Sequence, residues 1–135
     1  MTTDKRYRIL LVDDEPDIAT VMKLGLEKEG FEVDAFTEPL KALEHFKKGF
    51  YDLALIDIRM PQINGFELYR RTLEIDSEMK VCFITAFEIY YDEFRRVFPR
   101  LKVDCFVRKP VSMDMLTKII RAQLGRVGDP QANLD

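Results

Sequence analysis

The sequence predicts an α/β fold, a doubly wound parallel sheet built from five βα units with helices on both faces. Short runs rich in β-branched and aromatic residues alternate along it with longer segments of helical period. Four of the five runs are nearly continuous apolar stretches, the pattern of strands covered on both sides. The length, 135 residues with 47% hydrophobic and 33% charged side chains, suits one globular domain around one core and excludes disorder or low complexity.

The strand runs are residues 9–12, 31–36, 53–56, 81–84 and 105–107. In the second, Phe31, Val33 and Ala35 alternate with polar residues, which places that run at the sheet edge. After the first run, Ile18, Val21, Met22, Gly25 and Leu26 recur at helical spacing, with Pro16 set to start the helix and Gly30 to end it. Thr37 is placed to cap a second helix carrying Leu40, Leu43 and Phe46, and Asn64 a third carrying Phe66, Tyr69 and Leu73. A fourth helical segment holds Phe87, Tyr90, Tyr91, Phe94 and Phe98 before Pro99. Ser112 opens a fifth with Met115, Leu116, Ile119, Ile120 and Leu124. The domain therefore spans residues 1–125, and the aperiodic RVGDPQANLD of residues 126–135 reads as a flexible tail or truncated linker.

Several functions are disfavoured at once. A net charge of -3 gives no general attraction for nucleic acid. No apolar run approaches the roughly 20 residues of a membrane-spanning helix, and MTTDKRYR lacks the apolar stretch of a secretion signal, so a cytoplasmic location is expected. Cys82 and Cys105 lie in apolar runs, KVCFIT and VDCFVR, and read as small buried side chains rather than a redox pair or metal site. The lone His45 has no second histidine with which to share a metal and reads as a surface or half-buried residue.

Open parallel sheets carry their chemistry outside the carboxyl ends of the strands. There the chain places Asp13 and Asp14 after the first strand, Asp57 after the third, Thr85 after the fourth, and Lys109 with Pro110 after the fifth. Carboxylates about 4 Å apart repel by about 4 kcal/mol per pair at an effective dielectric of about 20, more than one lysine offsets. A divalent cation does offset it, and an all-oxygen donor set suits Mg²⁺ better than zinc. With a lysine and a hydroxyl alongside, the set suits a phosphoryl group, with Asp57 as nucleophile.

ILLVDDEP, LALIDIRMPQINGFEL, FITA and VRKP, in that order and spacing, resemble the receiver domain of two-component response regulators, over roughly residues 7–124. The resemblance implies a flavodoxin-like three-layer sandwich with strand order 2-1-3-4-5. It implies that Asp57 accepts a phosphoryl group from a sensor histidine kinase and that Asp14, Asp13, Asp57 and the Arg59 backbone carbonyl serve Mg²⁺. Thr85 matches the switch hydroxyl, Lys109 the phosphoryl-binding lysine, and Phe106 the aromatic that follows Thr85; the Lys109–Pro110 bond is expected to be cis. Such a chain is a phosphoacceptor and not an enzyme acting on an external substrate, and its output is expected on the face of the fourth helix, fifth strand and fifth helix, toward a downstream protein or a second receiver. A phosphorylation-independent interaction module is the alternative.

The chain departs from the pattern between Thr85 and Phe106, where it is about two residues longer than the common receiver and lacks the usual glycine before the fifth strand. Arg95, Arg96, Arg100, Lys102 and Arg108 concentrate positive charge there, fitting either a solvated face or an acidic partner. A haloacid-dehalogenase-like phosphohydrolase would carry an acid at position 59, where this chain has Arg59, and a flavin module would not put Asp13, Asp14 and Glu15 in its phosphate loop.

Overall fold

The computed structural model describes residues 6–86, 96 and 105–125. In chain order these form β1 (Arg8–Val12), α1 (Pro16–Lys28), β2 (Glu32–Phe36), α2 (Pro39–His45), β3 (Leu53–Asp57), α3 (Gly65–Ile75), β4 (Lys80–Thr85), β5 (Phe106–Arg108) and α4 (Met113–Leu124). The expected helical segment of Phe87, Tyr90, Tyr91, Phe94 and Phe98 lies outside the described residues, as do Arg95, Arg100, Lys102 and the 126–135 tail.

All neighbouring strands are parallel, in the order β2-β1-β3-β4-β5. β3 is buried along its whole length, whereas β2, at the edge, has the mixed burial its alternating sequence predicts. Period-two geometry sends alternate side chains to opposite faces. Leu10, Val12, Ala54, Ile56, Val81 and Phe83 meet Ala42 of α2 and Phe66, Leu68 and Tyr69 of α3 on one side. Ile9, Leu11, Leu53, Leu55 and Ile84 meet Met22 and Leu26 of α1 and Leu116, Ile120 and Leu124 of α4 on the other.

Helix boundaries follow local chemistry. α1 begins with Pro16 in its first turn and ends before Gly30, whose φ of +100° lies in the left-handed region that glycine alone enters freely. The Asn64 side chain accepts the Glu67 N–H at 2.9 Å and the Ser112 hydroxyl accepts that of Met115 at 3.1 Å, so both expected caps form. Thr37 does not cap α2. The residue before a proline is driven to extended backbone, and Glu38 (φ -120°, ψ 119°) obeys; the helix starts at Pro39, one residue too late for Thr37. Phe46, expected inside α2, is its extended C-cap and is nonetheless buried.

Apolar period overstates coverage in three places, since Val21, Leu40 and Met115 face solvent. The covered stripes of α1 and α2 are narrower and run through Ala19, Met22 and Leu26 and through Pro39 and Ala42. His45 is exposed, its ring stacked at a tilt on Phe36 and its Nδ1 2.9 Å from the Lys41 carbonyl.

Cys82 and Cys105 are buried as expected, at 0% and 4% exposure, but their reading as small side chains rather than a redox pair is corrected: a disulfide joins them. The cause is register. Phe83 pairs with Phe106, so one step earlier the two cysteines stand opposite each other with Cα atoms 4.6 Å apart, within the span a disulfide bridges.

Candidate functional site

Parallel pairing brings four strand ends to one rim. Val12 pairs with Ile56, Asp57 with Ile84, and Thr85 with Arg108. Asp13 therefore leaves the sheet beside Asp57, and Lys109 beside Thr85, whose carbonyl accepts the Lys109 backbone N–H at 2.7 Å. The Lys109–Pro110 peptide is cis, as expected.

Asp13, Asp14 and Asp57 converge, each offering a carboxylate oxygen within 4.8 Å of the others. Asp13 is fully buried, Asp57 is 5% exposed and Asp14 half-buried. The side chain of Lys109, 9% exposed, reaches into the group: its Nζ is 2.8 Å from Asp13 Oδ2 and 3.4 Å from both Asp57 Oδ2 and Glu15 Oε1. Asp13 also accepts the Glu15 N–H through Oδ1 at 3.0 Å, so both of its oxygens are engaged.

Electrostatics single out Asp57. Burial pushes its carboxyl up, and the charges of Asp13 and Asp14 add to the rise; Lys109 and the Arg59 N–H, 3.4 Å from Oδ1, pull it back only partly, leaving it at about 7. For Lys109, burial works against the charge, but the hydrogen bond to Asp13 and the charges of Asp57 and Asp13 outweigh it and hold the ammonium above its ordinary value. One ammonium thus faces an excess of carboxylates. Clustered hard oxygen donors with unbalanced negative charge fit a divalent cation of the Mg²⁺ or Ca²⁺ type.

The loop after β3 is pinned close to Asp57. Ile58 N–H donates to the Ile84 carbonyl at 3.0 Å, and Gly65 N–H to the Ile58 carbonyl at 2.7 Å. A Cβ on Gly65 would collide with the Asp57 backbone carbonyl and press on Ile56 and the Ile58 backbone, so only glycine lets α3 start here.

Of the residues singled out from sequence, Asp13, Asp14, Asp57 and Lys109 gather at one point. Arg59 contributes a backbone N–H beside Asp57, and Thr85 lies almost fully buried at the end of β4. Phe106 is set apart, partly buried on the α2/α3 face, its ring 5.6 Å from that of Phe83. Sequence reading missed two participants. Glu15 was grouped with the acidic loop and not seen as a partner of Lys109, which sits 94 positions away. Gly65 carried a signal, a glycine in the first turn of a helix just after the Asn64 cap, where a better helix former is the norm.

Comparison with known proteins identifies the family. The family model described as response regulator receiver domain matches residues 9–121. Transcriptional regulatory protein TrcR of Mycobacterium tuberculosis is 32% identical over 119 residues, 88% of this chain and 46% of TrcR. This chain spans about half the length of such relatives. Among solved structures, a CheY-like receiver domain protein from Methanospirillum hungatei is 30% identical with a TM-score of 0.78, covering 89% of this chain and 94% of that one. Response regulator TrrA from Thermotoga maritima, in complex with Mg²⁺–BeF, is 32% identical with a TM-score of 0.74, covering 87% and 98%.

Proposed function

The chain belongs to the response regulator receiver domains of two-component systems, and we propose that it accepts a phosphoryl group on Asp57 from the phosphohistidine of a sensor kinase. The observation that carries this reading is the buried meeting of Asp13, Asp14 and Asp57 with Lys109 at the carboxyl rim of the sheet.

In the proposed step an Asp57 carboxylate oxygen attacks phosphorus, a P–O bond forms, and the P–N bond to the kinase imidazole breaks with its electron pair returning to nitrogen. Lys109, 3.4 Å from Asp57 Oδ2, is placed to bond an oxygen of the arriving group, and the Arg59 N–H to steady the carboxylate. Mg²⁺, held by Asp13, Asp14, Asp57 and the Arg59 carbonyl, would supply the positive charge that this carboxylate excess lacks. Thr85 then turns its hydroxyl toward the new phosphoryl oxygens, and Phe106 follows into the space vacated. The product carries about two negative charges where Asp57 had one, and so biases a two-state surface. Output passes through the face of β5 and α4 to a downstream protein or second receiver, with no direct contact to nucleic acid. Turnover of an external substrate is not part of this role. Cytoplasmic location fits it, and no helix among the described residues is long and apolar enough to cross a membrane.

Incubation with acetyl phosphate and Mg²⁺ followed by intact mass tests the reading. One added phosphoryl group is expected, absent from Asp57→Asn and absent when EDTA is present; uptake by Asp57→Asn would overturn it.

A further inference from the structure

The Cys82–Cys105 bond joins the two strands that end in Thr85 and lead into Lys109. Cys82 lies three positions before Thr85 on β4, and Cys105 four before Lys109, immediately ahead of β5. Both sulfurs sit in the α1/α4 layer of the core with Ile84, Val107, Leu116 and Ile120, at 0% and 4% exposure. Two unbonded thiols need more room than a bonded pair, and a close-packed core has none to give without displacing a neighbour.

The two strands differ in how firmly they are held. β4 is paired along its length to β3 on its other side, Lys80 to Leu53 through Ile84 to Asp57. Among the described residues β5 is three residues long, ends the sheet and pairs with β4 alone. Displacement on reduction therefore falls on β5. Its continuation is Lys109, whose backbone N–H is tied to the Thr85 carbonyl at 2.7 Å and whose ammonium pairs with Asp13 and Asp57.

We propose that Cys82 and Cys105 form a reversible redox latch, in which the disulfide fixes β5 against β4 and holds Lys109 in its resting position between Asp13 and Asp57, and reduction to two thiols frees β5 to shift. The chemistry balances with hydrogen peroxide as oxidant. One thiolate attacks the peroxide, an S–O bond forms and the O–O bond breaks with loss of hydroxide; the second thiol attacks that sulfenic sulfur and expels water. In the other direction a dithiol reductant donates two electrons, passing through a mixed disulfide, and each cysteine sulfur ends with a proton. The burial of both sulfurs makes each direction wait on an opening of the β4–β5 edge. Since phosphorylation draws Thr85 and Lys109 toward a new charge, the oxidised chain resists it and the reduced chain favours it; this last consequence alone rests on the function proposed above.

The full chain, treated with dithiothreitol or with hydrogen peroxide and desalted, tests the proposal. Unfolding in guanidinium with N-ethylmaleimide and intact mass should count two thiols after reduction and none after oxidation. Hydrogen exchange at residues 106–109 should be faster in the reduced chain, and its phosphoryl uptake from acetyl phosphate faster by about fivefold or more, the low end for coupled sites. A Cys82→Ala, Cys105→Ala double variant, or Cys105→Ala alone if the double variant does not fold, should respond to neither treatment. Failure of the thiol count to change, or equal exchange at 106–109 in both states, overturns the latch. If neither state takes up phosphate while exchange still differs, the latch stands and the phosphoacceptor reading falls; if both take it up equally, the coupling to phosphorylation is refuted.

Discussion

The Lys109 ammonium lies nearer to Asp13, at 2.8 Å, than to Asp57, at 3.4 Å. In this structure the lysine is thus primarily the counter-ion of the fully buried Asp13, and Asp57 receives what attraction remains. Removing the cation strands a buried carboxylate, which is the costly way to break a buried pair. Lys109→Met should lower stability in EDTA by about 3 kcal/mol in urea unfolding, with part of the loss restored by saturating Mg²⁺. The double variant Lys109→Met with Asp13→Asn should be more stable than Lys109→Met alone. Additive losses would show that the two side chains do not act as a pair.

The sign of the pH dependence follows from Asp57. Its carboxyl is raised from 3.8 when free to about 7 in the folded chain, chiefly by burial, so between those values the folded state binds the extra proton. Stability without divalent cation should accordingly fall as pH rises from about 4 to about 7 and level off above. Glu67 has the opposite sign, since its hydrogen bonds to Arg70 and Arg71 hold it down at about 2, but its contribution is lost only as pH falls below its free value of 4.5, outside that window. The difference in melting temperature between the chain and Asp57→Asn isolates the effect: the variant should gain on the parent as pH rises. Because a cation competes with the proton at Asp57, the stabilisation by Mg²⁺ should be greater at about pH 8 than at about pH 5.5.

Gly65 sets how closely α3 may approach Asp57. An added methyl meets the Asp57 carbonyl, a backbone atom that cannot rotate aside, so Gly65→Ala has to shift the loop after β3. Overpacking of this sort costs about 1–3 kcal/mol. Denaturant unfolding should show that loss, and phosphoryl uptake should slow because the Asp57 backbone shifts and carries the acceptor carboxylate and the Arg59 N–H with it. Gly25→Ala serves as the control: its new methyl meets only the flexible end of Met113, and uptake should be unaffected.

Much of this was legible in advance because it depends on local chemistry. The carboxyl ends of parallel strands converge whatever the loops do, so naming the strand ends named Asp13, Asp57 and Lys109. Asn64 and Ser112 needed only their own first turns. The disulfide was not legible, since it depends on the β4–β5 register, fixed across a separation of 23 residues. Nor was the exposure of Val21, Leu40 and Met115, because periodicity says which residues share a face and not how wide a strip of that face a neighbour covers. Thr37 illustrates a third cause, a nearby proline overruling a good capping residue.

Three of the four described helix starts provide a graded test of capping. Asn64 and Ser112 each accept an N–H from the first turn of their helices, at 2.9 and 3.1 Å, whereas Glu38 makes no side-chain capping bond at α2. Loss of such a bond costs about 1 kcal/mol. Asn64→Ala and Ser112→Ala should each lower the urea midpoint accordingly without changing the slope of the transition. The caps belong to helices on opposite faces of the sheet, so the two losses should add in the double variant. Glu38→Ala and Thr37→Ala should leave the midpoint nearly unchanged. A Thr37→Ala loss equal to that of Asn64→Ala would mean that Thr37 caps α2 in solution despite Pro39.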